Sequence, residues 1–178
     1  MQRTKIILAD DHNMVREGLR ALMHTDPRIE ILGEAETGVQ AVHLVKIFLP
    51  DVAVIEVFMP QLNGLEVTRQ IVEAVPTTRV LILSSYSNPE YVHEFMEAGA
   101  AGYLLKYATG DELVKAIHEI DRGNAYFSPE VARHLRDEFR ELLVAGKPAP
   151  HNVPRVTGFK NKISTLEMQE ALTAQSQS

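Results

Sequence analysis

Cysteine is absent from all 178 residues, which excludes disulfides, thiolate zinc sites and cysteine nucleophiles. Long apolar runs are absent too. None exceeds four residues, Val52-Ala53-Val54-Ile55 being typical, so no segment reads as a membrane span. Only four apolar residues follow the start, Met1-Gln2-Arg3-Thr4-Lys5, which does not resemble a secretory signal. Positive charge is in short supply: 18 Lys and Arg stand against 24 Asp and Glu, a net −6. That balance argues against a generally basic nucleic-acid-binding surface. The hydrophobic share of 45% and the charged share of 24% are those of an ordinary globular chain. The expectation is a cytoplasmic protein without membrane contact, made of one domain or of one domain plus a tail.

The charge is unevenly spread. Residues 1–146 hold 14 Lys and Arg and 22 Asp and Glu, a net −8, whereas residues 147–178 hold 4 and 2, a net +2. The composition breaks at the same place, in Gly146-Lys147-Pro148-Ala149-Pro150 with Pro154 following. A helix-ending glycine followed by a proline-rich connector marks a boundary near residue 146.

Before that boundary two periods alternate. Short apolar runs occupy residues 6–9, 29–32, 52–55, 80–83 and 103–105. Between them lie segments of helical spacing, marked by Val15, Leu19, Leu22 and Met23; by Ala41, Leu44, Val45 and Phe48; and by Leu65, Thr68, Ile71 and Val72. Val92, Phe95 and Met96 mark a fourth, and Leu113, Ala116, Ile117 and Ile120 a fifth. Asn88-Pro89 places a capping side chain before a proline at the first helical position, and Thr109-Gly110-Asp111-Glu112 reads as a capping box. Ser128-Pro129-Glu130 opens a sixth helix with the stripe Val131, Leu135, Phe139, Leu142 and Leu143. Unbroken β–α alternation predicts an α/β fold, a parallel sheet doubly wound by helices with right-handed crossovers.

In such sheets ligands sit beyond the carboxyl ends of the strands, where the strand order reverses. The first apolar run ends in Asp10-Asp11, the third in Glu56, the fourth in Ser84-Ser85 and the fifth in Lys106. With strand order 2-1-3-4-5, Asp10, Asp11 and Glu56 converge on one volume. Three carboxylates repel one another unless a cation compensates, and oxygen donors of this kind suit Mg²⁺. Lys106 and Ser84 would face the oxygens of a phosphoryl group. Taken singly, each position is more simply read as loop solvation or helix capping; it is the five in register that point to a site.

The stretches Ile7-Leu8-Ala9-Asp10-Asp11-His12, Pro50-Asp51-Val52-Ala53-Val54-Ile55, Met59-Pro60, Asn63-Gly64-Leu65-Glu66, Arg79-Val80-Leu81-Ile82-Leu83-Ser84 and Ala98 to Lys106 carry a resemblance. Residues 1–146 resemble the receiver domain of bacterial two-component response regulators, in the NarL/FixJ (LuxR-type) subfamily. The resemblance implies a flavodoxin-like (βα)5 receiver over residues 1–127, a linker helix over 128–146, and a mostly flexible tail over 147–178. It implies Mg²⁺ held weakly by Asp10, Asp11, Glu56 and the backbone carbonyl of Phe58. It also implies Ser84 and Lys106 as phosphate contacts, and Tyr103 as an aromatic that turns inward in the active state. The partners implied are a histidine kinase, a downstream regulatory protein and a second copy of the chain in a homodimer. A sixth helix folded back on the receiver would permit a monomer; otherwise its stripe calls for a helix-to-helix dimer. Packing in an edge strand is the alternative for Tyr103.

Two departures stand out. Where the family carries its phosphoacceptor Asp, this chain has Glu56, whose extra methylene moves the carboxylate about 1.5 Å outward. Glu56 admits three readings: a partial imitation of the activated state by reaching Lys106 or Ser84, a silent docking platform, or a working acceptor. The subfamily also carries a helix-turn-helix output domain, whereas here the 28 residues 151–178 follow the proline-rich stretch. Ser164-Thr165-Leu166-Glu167 opens one short helix, which is not enough for that motif. DNA binding through Arg155, Lys160 and Lys162 is therefore not expected of this chain alone. The competing enzyme reading, a Mg²⁺-dependent phosphatase of the haloacid dehalogenase type, requires Asp-x-Asp after the first strand; here the pair is adjacent. A nucleotide-binding reading lacks a Gly-rich phosphate loop. The chain reads as a signalling switch and not as an enzyme.

Overall fold

The computed structural model describes residues 3–144, and for residues 138, 139 and 141–144 only their place in a helix. Strands β1 (Thr4–Ala9), β2 (Ile29–Ala35), β3 (Val52–Glu56), β4 (Arg79–Ser84) and β5 (Gly102–Leu105) alternate with helices α1 (Asn13–Met23), α2 (Gly38–Phe48), α3 (Gly64–Ala74), α4 (Pro89–Glu97) and α5 (Gly110–Asp121). A short strand β6 (Tyr126–Phe127) and helix α6 (Pro129–Val144) follow. The sheet order is β2-β1-β3-β4-β5-β6, and every pairing is parallel. This is the doubly wound parallel sheet expected from the alternation, and the flavodoxin-like fold that the resemblance implied, with one strand added.

Successive strand residues point to opposite faces, and the core divides accordingly. Ile7, Ala9, Ala53, Ile55, Val80, Ile82, Tyr103 and Leu105 meet Ala41, Val45, Val67, Ile71, Val92 and Phe95 of α2, α3 and α4. On the other face Ile6, Leu8, Val52, Val54, Leu81, Leu83 and Leu104 meet Met23 of α1 and Leu113, Ala116, Ile117 and Ile120 of α5. Strands buried on both faces read as continuous apolar runs, as parallel strands do.

The helix starts behave as their sequences require. Thr37, Asn63 and Asn88 accept from the backbone N–H groups of Gln40, Glu66 and Glu90. Thr109 and Glu112 form the reciprocal capping box at α5. Gly64 is needed for a different reason: a Cβ there would lie 2.3 Å from the Glu56 carbonyl oxygen.

Two elements depart from expectation. β2 runs three residues past its apolar stretch, to Ala35, where Gly33, Glu34 and Ala35 pair with Ile7, Leu8 and Ala9 of β1, and Glu34 also pairs with Arg16 and Arg20. β6 makes β5 an internal strand, with Gly102 opposite Tyr126 and Tyr103 opposite Phe127. β5 is therefore not an edge strand, and Tyr103 packs in the core. The first part of α6 folds back: Val131 is buried in the core, Leu135 packs on it, and His134 Nδ1 lies 3.3 Å from the Ser87 carbonyl. Phe139, Leu142 and Leu143 of the expected stripe, and the short helix expected after Ser164, lie outside the described residues or side chains. Among the described residues, no helix is long and apolar enough to cross a membrane.

Candidate functional site

β1 lies between β2 and β3, so the strand order reverses at the β1–β3 boundary, where α/β sheets place their ligands. Asp10 follows β1 with its side chain fully buried. Its Oδ1 accepts the His12 backbone N–H at 2.8 Å, its Oδ2 lies 2.7 Å from Lys106 Nζ, and its carbonyl accepts from Arg16 Nη1 at 2.8 Å. Asp11 is half-buried, and its Oδ1 lies 2.8 Å from His12 Nδ1.

Glu56 ends β3 and is buried. Its Oε1 accepts from the N–H groups of Val57 at 2.8 Å and Phe58 at 3.3 Å, while its Oε2 pairs with the Lys106 ammonium. Lys106, just past β5, donates its backbone N–H to the Ser84 carbonyl at 2.8 Å, tying the ends of β4 and β5 together. The Ser84 hydroxyl oxygen accepts from the Tyr86 N–H at 3.0 Å. Tyr103 is fully buried and donates its phenol to the Tyr86 carbonyl at 2.9 Å. The Phe58 ring meets Tyr86 and Tyr91 edge-on, with centroids 5.5 and 6.2 Å apart.

Electrostatics follow from burial and this pairing. Burial works to lower the Lys106 ammonium, but Glu56 and Asp10 outweigh it and hold the group above its ordinary range. Burial pushes Glu56 upward, only partly opposed by Lys106. Burial likewise lifts the Tyr103 phenol well above its usual range. Lys106 is thus charged throughout the neutral range and holds the two acidic strand ends together.

Asp10, Glu56 and Lys106 meet in ion pairs, Asp11 next to Asp10 lies against His12, and Ser84 ends the adjoining strand. Glu56 reaches Lys106, and the Ser84 hydroxyl oxygen accepts from the Tyr86 N–H. Two neighbours were not legible in the sequence. His12 closes over the acidic pair, and one atom each from Asp10, Asp11 and His12 lie within 4.8 Å of one another. Arg16 lies beneath, on the turn of α1 that follows the loop. Asp10 Oδ2 and Glu56 Oε2 are buried against the Lys106 ammonium, and Asp11 Oδ1 lies against His12, so the group able to offer ligand atoms to one ion is Asp10, Asp11 and His12. Its two carboxylates suit a hard divalent cation.

The response regulator receiver domain family matches residues 6–118. Transcriptional regulatory protein DegU of Brevibacillus brevis is 36% identical over 141 residues, covering 79% of this chain and 60% of DegU. Probable transcriptional regulatory protein NarL of Mycobacterium tuberculosis is 31% identical over 174 residues, 98% of this chain and 80% of NarL. A crystal structure of a LuxR-family two-component response regulator from an Aurantimonas species superposes with a TM-score of 0.74 at 34% identity, over 77% of this chain and 98% of that one. The chain thus spans about three fifths of the length of DegU. These relatives carry the names of regulators and not of enzymes, and nothing among them supports a haloacid dehalogenase-type phosphatase. Fold, strand-end residues and relatives agree: the chain belongs to the family of response regulator receiver domains of two-component signal transduction.

Proposed function

We propose that this receiver is a protein–protein switch whose phosphoacceptor position is filled by Glu56, and that Glu56 imitates the activated pocket in part instead of accepting phosphate. The observation that carries the reading is the engagement of both Glu56 oxygens, one by two backbone N–H groups and one by Lys106. A carboxylate held in this way is fixed in place by its partners, and a misplacement of about 1 Å for in-line attack can cost ~100-fold in rate. With its single negative charge on Lys106, Glu56 supplies part of what a phosphoryl group would supply. The inward, buried Tyr103 supports the same reading.

In this scheme Asp10 and Asp11, with the Phe58 carbonyl, would hold Mg²⁺, and Glu56 only when released from Lys106. The ion when bound neutralises charge on transferring phosphoryl oxygens. Ser84 and Lys106 hold those oxygens, and Tyr103 packs inward beside them. A histidine kinase is the upstream partner, with phosphate transfer disfavoured by Glu56. A downstream regulatory protein or a homodimer reads the switch, and the names of the relatives point to transcription as the output.

The test is acetyl phosphate with Mg²⁺, read by intact mass and by beryllofluoride capture. The parent chain should gain little or no phosphate. Glu56→Asp should gain it, and Lys106→Ala or Asp11→Ala in that background should remove it again. Efficient modification of the parent at Glu56 would overturn the proposal; an inert Glu56→Asp would favour a silent docking platform.

A further inference from the structure

Arg16 is a charged side chain with almost no exposure, only 5%, and the pocket chemistry above makes no use of it. Its guanidinium nevertheless makes four hydrogen bonds. Nη1 donates to the Asp10 carbonyl at 2.8 Å, Nη2 to Asn13 Oδ1 at 3.0 Å and Glu36 Oε1 at 2.7 Å, and Nε to Glu34 Oε2 at 3.3 Å. Arg20 supports the same arrangement by holding the other Glu34 oxygen at 2.9 Å. One planar fork thus ties the loop that carries the acidic pair to the end of β2 and the residue after it. A lysine ammonium cannot span these partners in the same geometry.

The direction of the Asp10 carboxylate depends on its peptide group. Its Oδ1 is already committed to the His12 N–H, so rotation of the Asp10–Asp11 peptide would move both carboxylates at once. Arg16 is the group that holds that peptide by its carbonyl. Groups behind metal ligands commonly set the orientation of those ligands and hence the affinity.

We propose that Arg16 is the positioning residue of the cation site, and that Glu36 anchors it from the surface. Through the Asp10 carbonyl it sets the angle at which Asp10 and Asp11 present their oxygens. The proposal rests on the reading of these two residues as cation ligands. It gives α1 a second task besides covering the sheet, and couples the pocket to an exposed acid at the β2–α2 connection.

The experiment is a Mn²⁺ titration of the full chain, with free ion followed by electron paramagnetic resonance and melting temperature recorded in parallel. The parent should bind Mn²⁺. Arg16→Met should weaken binding roughly tenfold, and Arg16→Lys should recover only part of that loss. Glu36→Ala, at a side chain that is 66% exposed, should weaken binding in the same direction while the melting temperature stays near that of the parent. Unchanged Mn²⁺ affinity in Glu36→Ala and in whichever Arg16 variants fold would overturn the positioning role. So would a fall confined to the melting temperature. A parent chain that takes up no Mn²⁺ would instead remove the cation reading of Asp10 and Asp11, and this proposal with it.

Discussion

Lys106 sits between two buried carboxylates at a depth where an uncompensated charge is costly. Removing one member of such a group costs about 3 kcal/mol, so Lys106→Ala should lower stability by that order at neutral pH. The sign with pH follows from the carboxylates left behind. Burial raises the folded pKa of Glu56 and in the variant Lys106 no longer opposes it, so the variant is most stable below the unfolded carboxylate range and loses stability as pH rises through the raised value. The deficit against the parent, measured by urea unfolding, should therefore shrink between pH 7 and pH 5. A deficit independent of pH would contradict this account of the pocket. The strand-end positions of these residues were legible because strand ends can be counted along a sequence. Arg16 was not, because its importance depends on Glu34 and Glu36, 18 and 20 residues away in the chain.

Helix caps were readable because their chemistry is local, as the Thr109–Glu112 box and the Asn88 cap illustrate. β6 was not, since two residues carry no period and become a strand only by pairing with β5. Ser128 shows how tertiary contacts reassign a residue read as a helix-start signal. Its hydroxyl oxygen accepts the buried Leu105 N–H at 2.9 Å, and its own N–H donates to the Tyr103 carbonyl at 3.0 Å. Ser128→Ala would leave the Leu105 N–H without a partner, at a cost of roughly 1–3 kcal/mol, and hydrogen exchange at Leu105 should accelerate. Gly64→Ala tests the other end of the site. Its Cβ would meet the Glu56 carbonyl oxygen and the Val57 Cα, backbone atoms that cannot step aside. A loss of roughly 1–3 kcal/mol is expected in chemical denaturation.

At the scale of the whole fold, a polar contact joins the approach to β2 with α5. Asp26, before β2, holds Arg28 through Nε and Nη2, and its Oδ2 lies 3.0 Å from His118 Nε2 of α5, 92 residues away. The Arg28 guanidinium, followed by lesser hydrogen bonds, holds the Asp26 carboxyl far below the usual carboxylate range. A depressed folded pKa contributes stability that is complete above the unfolded value near 4 and lost as pH falls below it. Asp26→Asn should therefore lower the urea midpoint at pH 7 and narrow its gap to the parent at pH 3. An equal gap at both pH values would show that Asp26 acts through packing alone.

The alternation of short apolar runs with helical periods specified a doubly wound parallel sheet, because burial on two faces leaves no other arrangement for strands of that composition. The same pattern put carboxylates, a hydroxyl and a lysine at the ends of particular strands. Which of them would touch was decided only in three dimensions. Glu56 pairs with Lys106 and the Ser84 oxygen accepts from Tyr86, because sheet register and rotamer set the distances between strand ends. Tyr103 is internal because β6 pairs beyond it, and Arg16 is a buried bridge because β2 carries Glu34 past it. A one-dimensional pattern reports which face a residue occupies; the contacts made there depend on neighbours brought from elsewhere in the chain.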